Sequence, residues 1–380
     1  MGRKDHHRSW LVSGLWALLC LLSAAVAQAQ SLRSVPPLTV REERPLQDWG
    51  LHVEVLEDRT RTWTLDTVRQ AAHAAAWQPV TTPVPSFGYR DSALWLRVVV
   101  HNLHPTRSHW ELGLLYPLLD YVDLYVLDEA GQLRQHDATG DRRPFASRPI
   151  PERQFYFGLK IPPQATRTLY LRVQSGGSLQ LPLVLTTPEL RHAAVSTDNS
   201  LLGLYGGAML AMLLYNLLLY VSLRDPSYLY YVGYLALFGV AQLTMDGVAF
   251  QYLWPNQPEW GNMAMPLSLA GTALCVARFA RSFLDLKTLW PRADVWIGAL
   301  QWLFAALIPG TWWLGYATAL RVGVASILVA PLVLLGITVV MLRRGHAQAR
   351  YFLLAFTGLM LGVVLYALHV FSVVPQQFLT

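Results

Sequence analysis

The hydrophobic rhythm of the chain changes near residue 200. Before that point apolar residues come in short runs, several of them alternating with polar ones; beyond it they fill long unbroken blocks. In "SALWLRVVVHN", Leu94, Leu96 and Val98 alternate with Trp95, Arg97 and Val99, the period-two pattern of a strand with two different faces. Comparable runs are "LHVEVLED", "SHWELGLLY", "YVDLYVLDEAG", "RQFYFGLKI", "TRTLYLRVQS" and "LPLVLTT", separated by the turn signals "EAGQ", "ATGDRRP", "IPPQAT" and "SGGS". Seven or more short strands in residues 30–190 predict an all-β domain, a sandwich or jelly roll. The Ala-rich insertion "TLDTVRQAAHAAAWQPV" predicts a short helix packed on that sandwich, and "SGGS" at 175–178 predicts a hairpin turn.

A polar join, "RHAAVSTDN" at 191–199, leads to six apolar blocks at 201–223, 227–249, 263–283, 295–308, 312–342 and 351–374. All but the fourth reach the ~20 residues a helix needs to cross a bilayer. Residues 200–380 are therefore expected to form an all-α transmembrane bundle.

The N-terminus adds an export signal. Arg3, Lys4 and Arg8 precede an apolar core at 10–26, and Ala27-Gln28-Ala29 forms an A-x-A cleavage site, so 1–29 reads as a cleaved signal peptide. Cys20 does not make it a lipoprotein signal, because Leu19 stands where a small residue is required. Cleavage leaves Cys275, inside a predicted span. The exported domain thus has no disulfide, no Cys-based metal site and no thiol nucleophile.

Composition agrees: 53% of residues are hydrophobic and 14% charged, too apolar for an ordinary soluble protein. The net charge of +6 does not point to nucleic acid, because excess Arg and Lys in membrane proteins gathers in cytoplasmic loops. With 30–190 outside, the inner loops hold Arg224, then Arg281, Lys287 and Arg292, then Arg343, Arg344 and Arg350. The outer loops, "QYLWPNQPEWGN" and a turn at 309–313, carry no Lys or Arg but bring Trp254, Trp260, Trp312 and Trp313 to the interface. Signal cleavage and loop charge give one topology, multi-pass in a bacterial inner membrane with the N-terminal domain periplasmic.

Long ordered segments of the chain resemble a known family. They are "YNLLLYVSLRDPSYLYYVGYLALFGVAQLTMDGVAFQYLWPN", "ARFARSFLDLK", "RRGHAQARYFLLAF" and "VVPQQFLT" in the membrane half. In the outer half they are "VLEDRTRTWTLDTV", "FGYRDSALWLRVVVHN", "WELGLLYPLLDYVDLYV" and "LYLRVQS". These are similar to the bacterial seven-transmembrane receptors with diverse intracellular signalling modules, with the type 2 extracellular domain, a jelly-roll-like sandwich akin to carbohydrate-binding modules. The resemblance implies a seventh helix and a cytoplasmic output module such as a histidine kinase, a diguanylate cyclase or a phosphatase. No phosphoacceptor box, cyclase motif or Gly-rich nucleotide loop occurs here. On the topology above, "VVPQQFLT" reads as the outer loop before the seventh helix, so six helices of seven are expected and the chain reads as a receptor truncated before its transmitter.

Candidate residues follow from chemistry. Aromatic rings stack on sugar faces, so Trp95, Trp110, Tyr116, Tyr121 and Tyr156 are candidates for a carbohydrate site, against the competing reading that they fill the core. Arg97 and Arg172 alternate with apolar residues and could line a binding face or be solvated. In the bundle, Arg321 is a charge within a span; Asp246 and His369 are expected at similar depth, forming a coupling cluster in which Asp246 pairs with Arg321, the alternative being that Arg321 snorkels to the interface and Asp246 simply caps its span. Gly203 and Gly207, like Gly358 and Gly362, recur at four-residue spacing and allow close helix approach, within the bundle or across a homodimer. His101, His104 and His109 sit around a loop with no carboxylate or Cys to complete a metal site. No catalytic constellation emerges and no cofactor is implied. The expected function is a membrane sensor whose partners are lipid, a periplasmic ligand such as a carbohydrate, and a cytoplasmic signalling module. A membrane-anchored binding or assembly protein is the second reading. A transporter ranks last, because the polar residues cluster toward one side rather than at the midplane.

Overall fold

The computed structural model describes residues 35–46, 49–314, 316–354 and 357–358, most of 312–330 by backbone alone. The signal peptide lies outside the described residues. The chain divides into two compact units at 193/194.

The first unit is a β-sandwich. Its strands are β1 (Leu38–Val40), β2 (Val53–Asp58), β3 (Gln78–Pro79), β4 (Ser86–Tyr89), β5 (Ala93–Asn102), β6 (His109–Leu114), β7 (Tyr121–Leu127), β8 (Leu133–Thr139), β9 (Phe155–Lys160), β10 (Thr166–Gln174), β11 (Ser178–Gln180) and β12 (Leu183–Thr186). The large sheet runs β3-β2-β5-β10-β7-β8, with β1 paired parallel to the far end of β5. The facing sheet is β12-β6-β9, and β4 pairs with β11. Alternation sets the layers. Leu94, Leu96, Val98 and Val100 of β5 join Val122, Leu124, Leu169 and Leu171 on the inner face, against Trp110, Leu112, Phe155 and Phe157 of the other sheet.

The opposite face of the large sheet carries a second apolar layer: Leu56, Trp95 and Tyr170 packed under Val68 and Trp77. The insertion that covers it is not one helix but two short pieces, α1 (Leu65–Arg69) and a 3₁₀ turn at Ala71–Ala76. Its entry turn is built on the buried Asp58 carboxylate. That group accepts from the backbone N–H of Thr60 (3.0 Å), Arg61 (2.8 Å) and Trp63 (2.9 Å), and from the Thr60 hydroxyl (2.6 Å). "SGGS" is not a hairpin. It carries the chain from β10 in one sheet to β11 in another, pinned by Asp120, which accepts from the Ser175 hydroxyl (3.2 Å) and the Gly176 N–H (3.1 Å).

The helices are α2 (Pro188–Leu223), α3 (Pro226–Met245), α4 (Val248–Tyr252), α5 (Pro258–Phe283), α6 (Leu286–Leu289), α7 (Pro291–Leu314) and α8 (Tyr316–Arg343). Among the described residues, four are long and apolar enough to cross a membrane: α2, α3, α5 and, over Pro291–Thr311, α7. One expectation gains a definite structure and another needs correction. The join at 191–199 is helical, since α2 starts at Pro188 with Thr187 as its cap: the Leu190 N–H meets the Thr187 hydroxyl at 3.4 Å and the Arg191 N–H its carbonyl at 2.9 Å. The turn at 309–313 is absent, because α7 runs through Pro309 to Leu314. A membrane helix tolerates such a proline when its neighbours re-satisfy the freed backbone group; one turn on, the Thr311 hydroxyl donates to Ile308 O at 2.8 Å. The predicted sixth span extends mostly beyond the described residues.

In the second unit α5 is the most enclosed of the four spans. Its neighbour α3 approaches it at glycines other than those expected. A Cβ on Gly271 would stand 2.8 Å from Leu237, and one on Gly233 would stand 3.0 Å from the Cys275 sulfur. Gly203, Gly207 and Gly358 have no neighbour within 4 Å of such a Cβ among the described residues; Gly362 lies outside the described residues. In the "RDP" turn between α2 and α3, Arg224 adopts a left-handed conformation (φ 57°), and Asp225, rather than Ser227, caps α3 by accepting from the Ser227 N–H at 2.8 Å.

Candidate functional site

Beside the apolar layer under the insertion, the outer face of the large sheet carries a set of paired polar side chains. Strand register places Leu56, Trp95, Arg172, Asp123 and Ala138 in one row, and Glu54, Arg97, Tyr170, Tyr125 and His136 in the next. Cross-strand neighbours in such rows touch, and here they pair. Arg97 is held by Glu54 at 2.7 Å and lies 4.6 Å from the Trp77 ring centroid, so it stitches β2 and β5 under the insertion. Arg172 reaches Asp123 at 3.4 Å and donates to Arg61 O at 2.9 Å. Arg143 donates to the other Asp123 oxygen at 2.7 Å and covers the Tyr121 ring. Tyr125 stacks on His136 with centroids 4.3 Å apart and on Trp95 at 5.7 Å. Burial, then the nearby Asp123 charge, raises the Tyr125 phenol above its ordinary pKa, keeping it a hydrogen-bond donor.

A pocket of about 420 Å³ opens at the end of this face, lined by Arg69, Leu127, Asp128, Glu129, Gly131, Thr166, Thr168 and Tyr170. Local structure fixes its rim. Asp128 accepts from the Gln132 N–H at 2.9 Å and from Arg134 at 2.6 Å, and these bonds, the backbone one first, hold its carboxyl below the usual carboxylate range. Glu129 accepts from the Thr166 N–H at 2.7 Å, and Arg69 donates to Gly131 O at 3.0 Å. Gly131 has φ 75°, which the β7–β8 turn needs and glycine supplies without strain. The lining holds one guanidinium, Arg69, and two carboxylates, Asp128 and Glu129; Arg134, outside the lining, offsets Asp128 across its 2.6 Å bond, and the rim is rich in donors and acceptors.

The structure separates the sequence candidates. Trp95 (0% exposed) and Trp110 (1%) are sealed in the two apolar layers, and Tyr156 (4%) packs under the Arg191 guanidinium, so none presents a ring to solvent. Strand alternation made them look available, but both faces of these strands are covered. Arg97 and Arg172 do lie on the outer face, each already paired. His104 accepts from the Arg107 N–H at 2.9 Å and stands 3.6 Å from the Glu43 carboxylate, and His109 is hydrogen bonded to Ser108 at 3.0 Å. The pocket residues were missed because "DEAG" read only as a turn; its two acidic residues facing the polar start of "TRTLYL" were the available signal.

In the helical unit, Asp246 ends α3, where its carboxylate accepts from Gln242 Nε2 at 3.2 Å. With Tyr205, Gly206 and Gly239 it lines an apolar groove of about 200 Å³ between α2 and α3. Arg321 belongs to α8 by its backbone; its side chain and all of His369 lie outside the described residues. Toward the other end, Arg281 of α5 forms a two-pronged ion pair with Asp294 of α7 (2.6 and 2.7 Å) and also bonds Gln301.

No curated protein matches the chain. Among solved structures, TmCBM61, determined in complex with beta-1,4-galactotriose, aligns with 38% of this chain and 87% of its own, at 12% identity and a TM-score of 0.18. Two family models match: "7TMR-DISM extracellular 2" over residues 50–187 and "7TM diverse intracellular signalling" over 198–380. They leave unmatched only the first 49 residues and residues 188–197. A membrane protein with an N-terminal extracellular sandwich and apolar helices fits both, and the chain belongs to the seven-transmembrane receptors with diverse intracellular signalling modules.

Proposed function

We propose that this receptor senses a neutral carbohydrate, bound in the pocket at the end of the outer sheet face. The observation that carries the reading is the rim itself. Asp128 is neutralised by Arg134 from outside the lining, Arg69 and Glu129 bring one charge of each sign without pairing, and with the Thr166 and Thr168 hydroxyls these groups suit a polyol. Tyr170, buried beneath the insertion, contributes only the edge that reaches the pocket lining.

In this reading the protein lies in a bacterial inner membrane, the sandwich faces the periplasm, and binding shifts the bundle between two states read by a cytoplasmic signalling module. Asp246, Arg321 and His369 would be the polar cluster biased by that shift, and the open Gly203/Gly207 face would meet a second copy of the receptor. The test is isothermal titration of the full chain in nanodiscs against a panel of neutral and acidic oligosaccharides, with Arg69→Ala and Asp128→Asn alongside. A neutral sugar that binds the wild type and loses at least tenfold in affinity with either variant supports the reading. Binding by none, or equal binding by all three proteins, overturns it.

A further inference from the structure

The buried charges that the proposed ligand site does not use form a chain of their own. It starts at Asp123 on the outer face, where Arg143 donates to the carboxylate and to Thr139 O, both at 2.7 Å. Arg143 opens the 140–154 segment joining β8 of the large sheet to β9 of the small one. Inside that segment the Ser147 hydroxyl meets the Thr139 hydroxyl at 3.0 Å. The next residue, Arg148, is 5% exposed; its guanidinium packs 4.3 Å from the Phe155 centroid and donates to the carbonyls of Glu152 (2.7 Å) and Arg153 (2.5 Å). Burial lowers its pKa to about 10, opposed by the Asp141 charge, so it stays cationic. The Glu152 side chain in turn accepts from Arg191 at 2.7 Å.

Arg191 sits in the first turns of α2, the helix whose later turns form the first apolar span. It is 6% exposed and held by two carboxylates, Glu152 and the buried Glu111 of β6, the latter also at 2.7 Å. Well-packed apolar side chains would serve stability as well as such a triad, so a retained buried ion set fits a role in register or switching. At the solvent edge, Arg107 bridges Glu43 (2.7 Å) and Glu189 (3.2 Å), an exposed and weaker contact.

We propose that Arg191 is the positioning residue through which the sandwich grips α2, and that the 140–154 segment links this grip to the sensing face at Asp123. The relay in the function proposed above would act through this path, but the test needs no ligand, so failure to find a sugar leaves it standing. Asp123→Asn weakens the far end of the path without touching α2. The measurement is amide hydrogen exchange of the full chain in nanodiscs. The expected result is exchange at 188–196 faster by roughly 2- to 30-fold, the range that coupling through packed networks reaches, with Asp123→Glu restoring the wild-type rate. Unchanged exchange at 188–196 in Asp123→Asn, beside faster exchange there in Arg191→Met, would make the clamp purely local and overturn the proposal. Should Asp123→Asn loosen the β6 core as well, Ser147→Ala decides: faster exchange at 188–196 with β6 intact supports the path, and no change there overturns it.

Discussion

Removing Arg191 alone should cost far more than removing the whole ion set. Arg191→Met leaves the Glu111 carboxylate, 8% exposed in its side chain, with its guanidinium partner gone, and strips a second bond from Glu152. Breaking a buried pair by deleting one partner costs about 3–5 kcal/mol. Arg191→Met combined with Glu111→Leu and Glu152→Gln removes the orphaned charges, and such apolar replacements are often neutral or stabilising. Pulse proteolysis of the full chain across a urea series, read on cleavage of the sandwich, measures both. With a urea slope of roughly 1–3 kcal/mol/M, the single variant's midpoint falls by about 1–5 M, and the triple variant recovers most of that loss. A single-variant midpoint within about 0.3 M of wild type would refute the assignment of Arg191 as a buried, charge-dependent clamp.

Trp95→Ala should destabilise the sandwich by about 3–5 kcal/mol in the same assay, whereas Trp95→Phe keeps sugar affinity, because the ring lies beneath Tyr125. Gly140→Ala should prevent accumulation of folded receptor, measured by size-exclusion yield: at φ 147° its Cβ would stand 2.0 Å from Asp120 O. The Ser92 hydroxyl, 2.6 Å from Glu57, together with Arg90 and Arg59, holds the Glu57 carboxyl below its ordinary pKa. That contribution is fully present above the unfolded carboxylate pKa of about 4.3 and is lost as pH falls through the lower folded value. Ser92→Ala should therefore reduce stability at neutral pH and flatten its fall in acid unfolding curves.

Local pattern made the architecture legible. The alternation in β5 announced two different faces, and the unbroken apolar blocks announced the spans. What stayed hidden depended on distance along the chain. Arg69 meets Gly131 across 62 residues and Arg191 meets Glu111 across 80, and no local period encodes either contact. Trp95 looked available because strand periodicity cannot show that α1 and the 3₁₀ turn cover its face. "SGGS" has the composition of a hairpin, yet Asp120 recruits it to a crossing between sheets. Pro309 signals a turn in water, but a membrane-spanning segment can carry it inside a helix. The glycines that matter for close approach, Gly233 and Gly271, have no four-residue repeat to mark them.

The most direct test of the sensing claim is hydrogen exchange of the full chain in nanodiscs with and without each sugar of the oligosaccharide panel. A ligand is expected to slow exchange at 127–132 and 166–170, around the pocket, and to shift exchange at 188–196. A panel in which no sugar alters exchange at the pocket, or in which protection appears only on other surfaces of the sandwich, would contradict it.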